Sequence, residues 1–250
     1  RPRRVADLDR LASSSRLNPQ AIFNRLHRQQ AALARDAGWK PLDFDQASVL
    51  EAGCGPLLGN LPLAAFCGAR RCAAIEPAFN PEVLAHPGLR TAYFLPLWQD
   101  LNLLYGPRME FDALMEALAA VQVQATSIEQ ADLAPGFDTV LSNSCLEHVF
   151  PLDASVCRLA SLGAPGARFL HLVNFSNHLA TRYPFKGMYR AEPEAYFRSN
   201  GRSVNLARAT DVARMFAETG IPARMTVLSS YDGELPEPPS PWWTRRYGED

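Results

Sequence analysis

Short apolar runs alternate with helix-patterned segments along most of this chain, and that alternation is its strongest constraint. "ASVLEA" (47–52), "RRCAAIEP" (70–77), "VQVQAT" (121–126), "FDTVLSNS" (137–144) and "ARFLHLVNFS" (167–176) have the length and apolar content of buried strands. Helical patterns lie between and around them: about 19–37, opened by Asn18 and Pro19 and ended by Gly38, then 59–68, 152–163 and 209–220, with Thr210 as the cap of the last. A further strand is expected in "ARMTVLSSY" (223–231), and the Pro-rich tail 236–250 reads as extended. Strands that alternate with helices predict an α/β fold: an open, mostly parallel sheet with helices on both faces.

Between the second and third strands lie about forty residues, where a minimal crossover needs one helix of roughly a dozen. The extra length carries two helix-like stretches, "YFLPLWQDLNLLYG" and "MEFDALMEALAAV". A helical insertion over about 79–120 is therefore expected, forming a cap over the cleft. Its aromatic residues Tyr93, Phe94, Trp98 and Tyr105 serve either as the core of that cap or as walls for a ligand. The domain reading is an N-terminal helical segment (1–47), one α/β domain (48–235) and the tail (236–250).

Bulk composition narrows the function. With 250 residues and 47% apolar content the chain can bury a substantial core, and its formal charge of -1, with acids and bases interleaved, argues against nucleic acid as a partner. No apolar run reaches the ~20 residues of a membrane span. The five cysteines, Cys54, Cys67, Cys72, Cys145 and Cys157, are an odd number without CxxC spacing. They read as reduced core thiols of a cytoplasmic protein, and no zinc site is expected from them. The first residue is Arg1 and no apolar leader follows "RPRR", so a processed or excised fragment without a signal peptide is expected.

In an open parallel sheet, ligands bind at the carboxyl ends of the strands, where the strand order reverses. That places 51–59, 76–80, 126–130 and 142–149 around one cleft. In "VLEAGCGPLLG" (49–59), Gly53 and Gly55 allow close backbone approach, and the helix that follows points its N-terminus at the turn. Glu51 would hold either the turn's own backbone or a ligand amine. Glu76, at the end of the second strand, can accept hydrogen bonds from two vicinal ribose hydroxyls. The turn lacks the G-x-G-x-x-G spacing of a nicotinamide enzyme, because Leu58 stands at the third glycine's position.

"VLEAGCG", "AAIEP" and "FDTVLSNSCLEHV", in this order and spacing, resemble the class I S-adenosylmethionine-dependent methyltransferases, whose sheet is Rossmann-like. The resemblance runs from about 48 to 175. It implies S-adenosylmethionine as cofactor, with Gly53 and Gly55 beneath its methionine part and Glu51 supporting its amino group. It further implies Glu76 on the ribose, Pro77 and Ala78 beside the adenine, and Asn143 and Ser144 flanking the methionine end. After the third strand, Ser127 or Glu129 would meet the adenine amine, with Ile128 as an apolar and backbone contact. The third glycine often found two positions after Gly55 is replaced by Leu57, with Gly59 later, which implies a longer turn. The N-P-P-Y type of motif seen in methyltransferases of DNA amines is absent from "SNSC".

Methyl transfer from a sulfonium is a direct displacement and requires no metal in principle; a hydroxyl acceptor also requires a base. His148 and His178 are the candidates, while His171 reads as core packing and His27 and His86 as surface or packing residues. "NFSNHLATRYPF" (174–185) and the residues near 203–223 resemble a methyltransferase subgroup found with surface-polysaccharide genes, except that Asn174 and Asn177 replace that subgroup's acids. Arg182, Tyr183, Lys186, Tyr189 and Arg190 would grip a sugar, phosphate or carboxylate, with Trp98 contributing from the insertion. The expected activity is O-methylation, less readily N-methylation, of a glycan or other small molecule. The alternatives are a natural-product or peptide methyltransferase and a non-catalytic scaffold. Membership of a larger polypeptide, or of a homo-oligomer, stays open.

Overall fold

The computed structural model describes residues 7–14, 17–178, 183–231, 233 and 237–248. Five strands form one sheet: β1 (Ser48–Ala52), β2 (Arg71–Ile75), β3 (Gln122–Gln124), β4 (Phe137–Asn143) and β5 (Gly163–Leu172), in the order β3-β2-β1-β4-β5. Every pairing is parallel, as the near-continuous apolar strands require. The helices are α1 (Leu8–Ala12), α2 (Pro19–Ala37), α3 (Leu61–Phe66), α4 (Pro87–Leu89), α5 (Leu95–Tyr105), α6 (Phe111–Ala119), α7 (Leu152–Leu162), α8 (Pro193–Asn200), α9 (Ala209–Glu218) and α10 (Pro241–Tyr247).

Alternate residues of β1 face opposite layers. Val49 packs with Phe23, Leu63, Phe66, Phe94 and Leu118 under α2, α3 and the insertion. Leu50 and Ala52 pack with Val156, Leu159 and Phe216 under α7 and α9. The insertion carries α4, a π-turn at Arg90–Phe94, α5 and α6, and α6 packs on α3. Tyr93 and Phe94 are fully buried there and are core, while Tyr105 is half-buried and hydrogen-bonds His27 on α2 (2.5 Å).

Three expectations change. Residues 223–231 form no strand: Met225 and Val227 are 56% and 74% exposed, and the Arg224 guanidinium reaches the Ala37 carbonyl (3.0 Å). Thr210 does not cap α9; the Asp211 carboxylate accepts from the Arg208 N–H (2.9 Å). The tail is not extended throughout, because Pro241 starts α10 as its first residue and Trp243 buries itself with Met188, Tyr196, Val204 and Leu206.

The Trp243 indole N–H donates to the Ala191 carbonyl (2.8 Å), and the Tyr247 hydroxyl donates to Asp211 (2.6 Å). Trp243→Ala should therefore cost about 3 kcal/mol, read as an earlier urea midpoint; an unchanged midpoint would show that α10 is not docked.

Candidate functional site

The chain runs outward from β1 through β2 to β3, then returns to β4 on the other side of β1. The order reverses between β1 and β4, and the turns that follow these two strands lie against each other. A Cβ on Gly53 (φ +70°) would sit 2.4 Å from the Cys145 sulfur, so only glycine permits this approach. The Gly53 N–H donates to the Ile75 carbonyl (2.8 Å), tying the turn to β2 as well. Gly55 (φ +67°) differs: a Cβ there would meet nothing within 4 Å, so its backbone faces open space.

Glu51 is 1% exposed, on the same face as Val49. Its two oxygens accept from the Asn60 N–H (2.6 Å) and the Asn60 side-chain amide (2.8 Å). Of the two expected roles, the geometry gives this carboxylate to the turn. A Cβ on Gly59 would fall 2.5 Å from the same carboxylate, which explains the late glycine. Burial pushes the Glu51 pKa up to about 7, against the opposing pull of the Asn60 hydrogen bonds.

Glu76, 4% exposed at the end of β2, accepts from the Gly55 N–H and the Ala78 N–H (both 3.0 Å), and Pro77 beside it is exposed. On β4, Asn143 keeps a buried, unpartnered side-chain oxygen, and Ser144 takes a positive φ of 49° while its N–H donates to the Leu172 carbonyl. After β3, the Ser127 hydroxyl donates to Glu129 (2.5 Å), whose other oxygen takes the Ser155 hydroxyl of α7 (3.3 Å). Ile128 is buried between them. Glu51, Gly53, Gly55, Glu76, Asn143 and Ser144 thus converge at the switch point, while Ser127 and Glu129 are tied to each other and to α7.

Beyond β4, the turn Leu146–His148 is pinned from the segment before α9. The Asn205 side chain donates to the carbonyls of Leu146 (2.6 Å) and Val149 (3.1 Å), and its N–H donates to the Glu147 carbonyl (2.8 Å). His148 Nδ1 lies 2.5 Å from the Ser203 carbonyl. The rings of His148 and His178 meet edge to face with centroids 4.8 Å apart, and His178 has φ 54°. Burial, then the neighbouring His148, hold His178 below the ordinary imidazole range. His171 is core, as expected: it bonds the Ser142 hydroxyl (2.7 Å), stacks on Phe216, and burial lowers it to about 4.

The acceptor-side residues are more dispersed than expected. The Trp98 indole donates to the Met109 carbonyl (2.9 Å) and its ring packs on Phe111, inside the insertion. Tyr189 packs against Trp243 under the Arg208 guanidinium. Arg190 pairs with Glu237 (3.5 Å). Tyr183 is 39% exposed, and Arg182 lies outside the described residues. A cavity of about 460 Å³ lined by His27, Leu42, Cys67, Tyr105 and Arg108 includes none of the turn residues. Sequence reasoning passed over Asn60, Glu147 and Asn205, whose partners are tertiary. For Glu147 alone a local signal existed, its place beside His148 in "LEHV".

A family model described as a methyltransferase domain matches residues 20–221. The chain belongs to this family, the class I S-adenosylmethionine-dependent methyltransferases. No curated protein sequence matches it significantly. Among solved structures, it is similar to a chain of the complex between a Haloferax volcanii methyltransferase activator and a putative methyltransferase, at 16% identity over 92% of this chain and 84% of that one, TM-score 0.48. It is also similar to a putative S-adenosylmethionine-dependent methyltransferase of Listeria monocytogenes (14% identity, 77% and 83% covered, TM-score 0.45). A third is Haemonchus contortus phosphoethanolamine N-methyltransferase 2 in complex with S-adenosyl-L-methionine (16% identity, 86% and 44% covered, TM-score 0.46).

The raised pKa of Glu51 has a stability consequence with a definite sign. The folded protein holds this proton to about pH 7, the unfolded chain only to about 4.5, so its contribution is full below 4.5 and lost as pH rises through 7. The loss is on the order of 3 kcal/mol. Glu51→Gln should flatten the dependence, so that wild type loses stability relative to the variant between pH 4.5 and 8 in urea titrations. Parallel curves would refute the assignment.

Proposed function

We propose that this methyltransferase binds S-adenosylmethionine across the turn 53–59 and methylates a hydroxyl of a sugar or other small molecule. The observation that carries the donor site is the junction of Gly55 with Glu76. A backbone open to space stands beside a buried carboxylate at the end of β2, at the switch point of a parallel sheet. This fits the donor's chemistry. Gly53 and Gly55 leave room for the methionine part, and Asn143 offers its unpartnered oxygen at that end. Glu76 exchanges backbone partners for ribose hydroxyls, while Pro77, Ala78 and Ile128 border the adenine and Ser127 and Glu129 stand behind it. Glu51 acts through the turn it holds.

When bound, the donor supplies a methyl carbon already activated by its sulfonium. The protein's part is to align the acceptor and let its proton leave. His148 and His178 stand past β4 and β5, on the acceptor side. His178, held below the ordinary imidazole range, stays neutral near pH 7 and able to accept a proton. Arg182, Tyr183 and Tyr189 belong to the acceptor side in this reading, while Trp98 supports the insertion from within. The choice of a sugar is supported by the resemblance of the 174–185 region to the polysaccharide-associated subgroup.

Calorimetric titration of the chain should give saturable binding of S-adenosylmethionine and S-adenosylhomocysteine and none of NAD. Removing a carboxylate that accepts two hydrogen bonds, in Glu76→Ala, should weaken binding about tenfold to a hundredfold. A folded wild-type chain that binds neither sulfur ligand would turn the reading to a scaffold domain, and binding of NAD instead would turn it to an oxidoreductase.

A further inference from the structure

Glu147 is the buried group at the acceptor end that proton transfer by an imidazole leaves unused. Its side chain is 3% exposed, and among the described residues no side chain donates to either carboxylate oxygen; the backbone N–H groups of Glu147 itself and of Asn174 turn toward it without reaching good hydrogen-bond geometry. A carboxylate in that setting is costly unless a positive charge answers it. No lysine or arginine does so among the described ion pairs; its close neighbours are imidazoles. His178 Nε2 lies 4.0 Å from Glu147 Oε1. One ligand atom from each of Glu147, His148 and His178 can be chosen so that all three lie within 4.8 Å of one another.

The surroundings orient these groups. The Ser203 carbonyl is an acceptor and 2.5 Å from His148 Nδ1, so Nδ1 carries the proton and Nε2 keeps its lone pair. A carbonyl that fixes the tautomer of a histidine in this way is the usual outer partner of a metal ligand. Asn205 holds the turn bearing Glu147 and His148 through three hydrogen bonds. His178 reaches the same point from a left-handed backbone conformation, φ 54°, which costs a non-glycine residue energy.

We propose that Glu147, His148 and His178 bind a divalent transition-metal ion at the acceptor end of the cleft, through one carboxylate oxygen and two imidazole nitrogens. Two histidines and a carboxylate are the donor set of open zinc sites and of facial-triad iron sites, and are too nitrogen-rich for magnesium. Closing on an ion at about 2.1 Å would draw the ligand atoms to roughly 3.4 Å from one another, a contraction within side-chain rotation. Three protein ligands leave a coordination position for an acceptor oxygen. Bound there, an acceptor hydroxyl loses its proton to water more readily, leaving its oxygen as the nucleophile. This deepens the methyltransferase reading and rests on it for the role of the ion, though not for its binding; with the ion bound, His148 and His178 are ligands and water takes the acceptor's proton in place of an imidazole base.

The test uses the whole chain after chelator treatment, titrated with Co²⁺ followed by visible absorption and with Zn²⁺ followed by calorimetry, with Mg²⁺ as control. The expected result is one equivalent of Co²⁺ with the d–d spectrum of nitrogen and oxygen ligands, displaced by Zn²⁺, and no binding of Mg²⁺. Glu147→Gln, which keeps shape, and His178→Asn should each weaken binding about a hundredfold or more, since outer partners alone are worth 10–100-fold. Both variants should still bind S-adenosylhomocysteine, which shows that they fold. Thiolate-to-cobalt charge-transfer bands, stoichiometric binding undiminished in both variants, or no binding by a wild-type chain that binds S-adenosylhomocysteine would each overturn the metal site. The last outcome would leave the methyltransferase reading intact. Metal binding without any binding of the sulfur ligands would instead support the site and remove the methyltransferase reading.

Discussion

The buried carboxylate of Glu51 is the interaction on which the geometry of the cleft depends. A loop of backbone N–H groups between a strand and a helix has no partners of its own. Here Glu51 sits one residue before the end of β1 and accepts from both the N–H and the side-chain amide of Asn60, the residue before α3. The turn between is thereby closed at both ends. Its conformation then follows from the close contacts: Gly59 gives the carboxylate room, Gly53 gives Cys145 room, and Leu58 accepts a positive φ of 64° because its side chain is fully buried. Gly55, which none of these contacts requires, is left facing open space. Burial raises Glu51 towards neutrality, so the closure has an electrostatic cost that well-aligned donors offset.

The sheet supplies the second constraint. Reversal of strand order between β1 and β4 creates a crevice because the two crossovers leave in opposite directions. On the β1 side, β2 adds Glu76. On the β4 side, Asn143 and Ser144 pass directly into the Leu146–His148 turn. The groups around the crevice thus come from both halves of the sheet, and beyond the β1–β4 pairing the turns that follow the two strands meet at the Gly53–Cys145 approach. The insertion thickens the α2–α3 layer and buries Tyr93, and that burial, with the nearby Glu51 second, raises its phenol.

Much of this was legible in the sequence, and the reason differs by element. Strands β1, β2 and β4 are apolar runs that end in turn-forming residues, so their ends, and with them Glu51, Glu76 and Asn143, fall where pattern places them. The segment 223–231 has strand composition, but composition is not pairing: a strand needs a neighbour in register, and these residues have none here. The tail illustrates the reverse. Its prolines suggested extension, yet Ser240-Pro241 followed by Gly248 is also a helix start and stop, and the burial of Trp243 decided between them. Trp98 could not be placed from sequence, because whether an aromatic on an inserted helix faces the cleft or its own layer depends on how that helix docks.

The acceptor end was the least legible because its character comes from burial. In "LEHV" the histidine draws attention, and nothing in the pattern but its place beside that histidine singles out the glutamate. In the fold, Leu146 enters the α7–α9 layer and carries Glu147 beneath the surface, while Asn205 takes up the turn's carbonyls. Residues with left-handed backbones then cluster nearby: Ser144 just past β4, His178 six residues past β5, and Leu206 beside Asn205. Each costs about 1–2 kcal/mol relative to a relaxed conformation. A protein under selection for stability alone has no reason to place such residues around a buried carboxylate that no side chain satisfies. Their concentration around the Leu146–His148 turn is a conformational cost that packing alone does not explain.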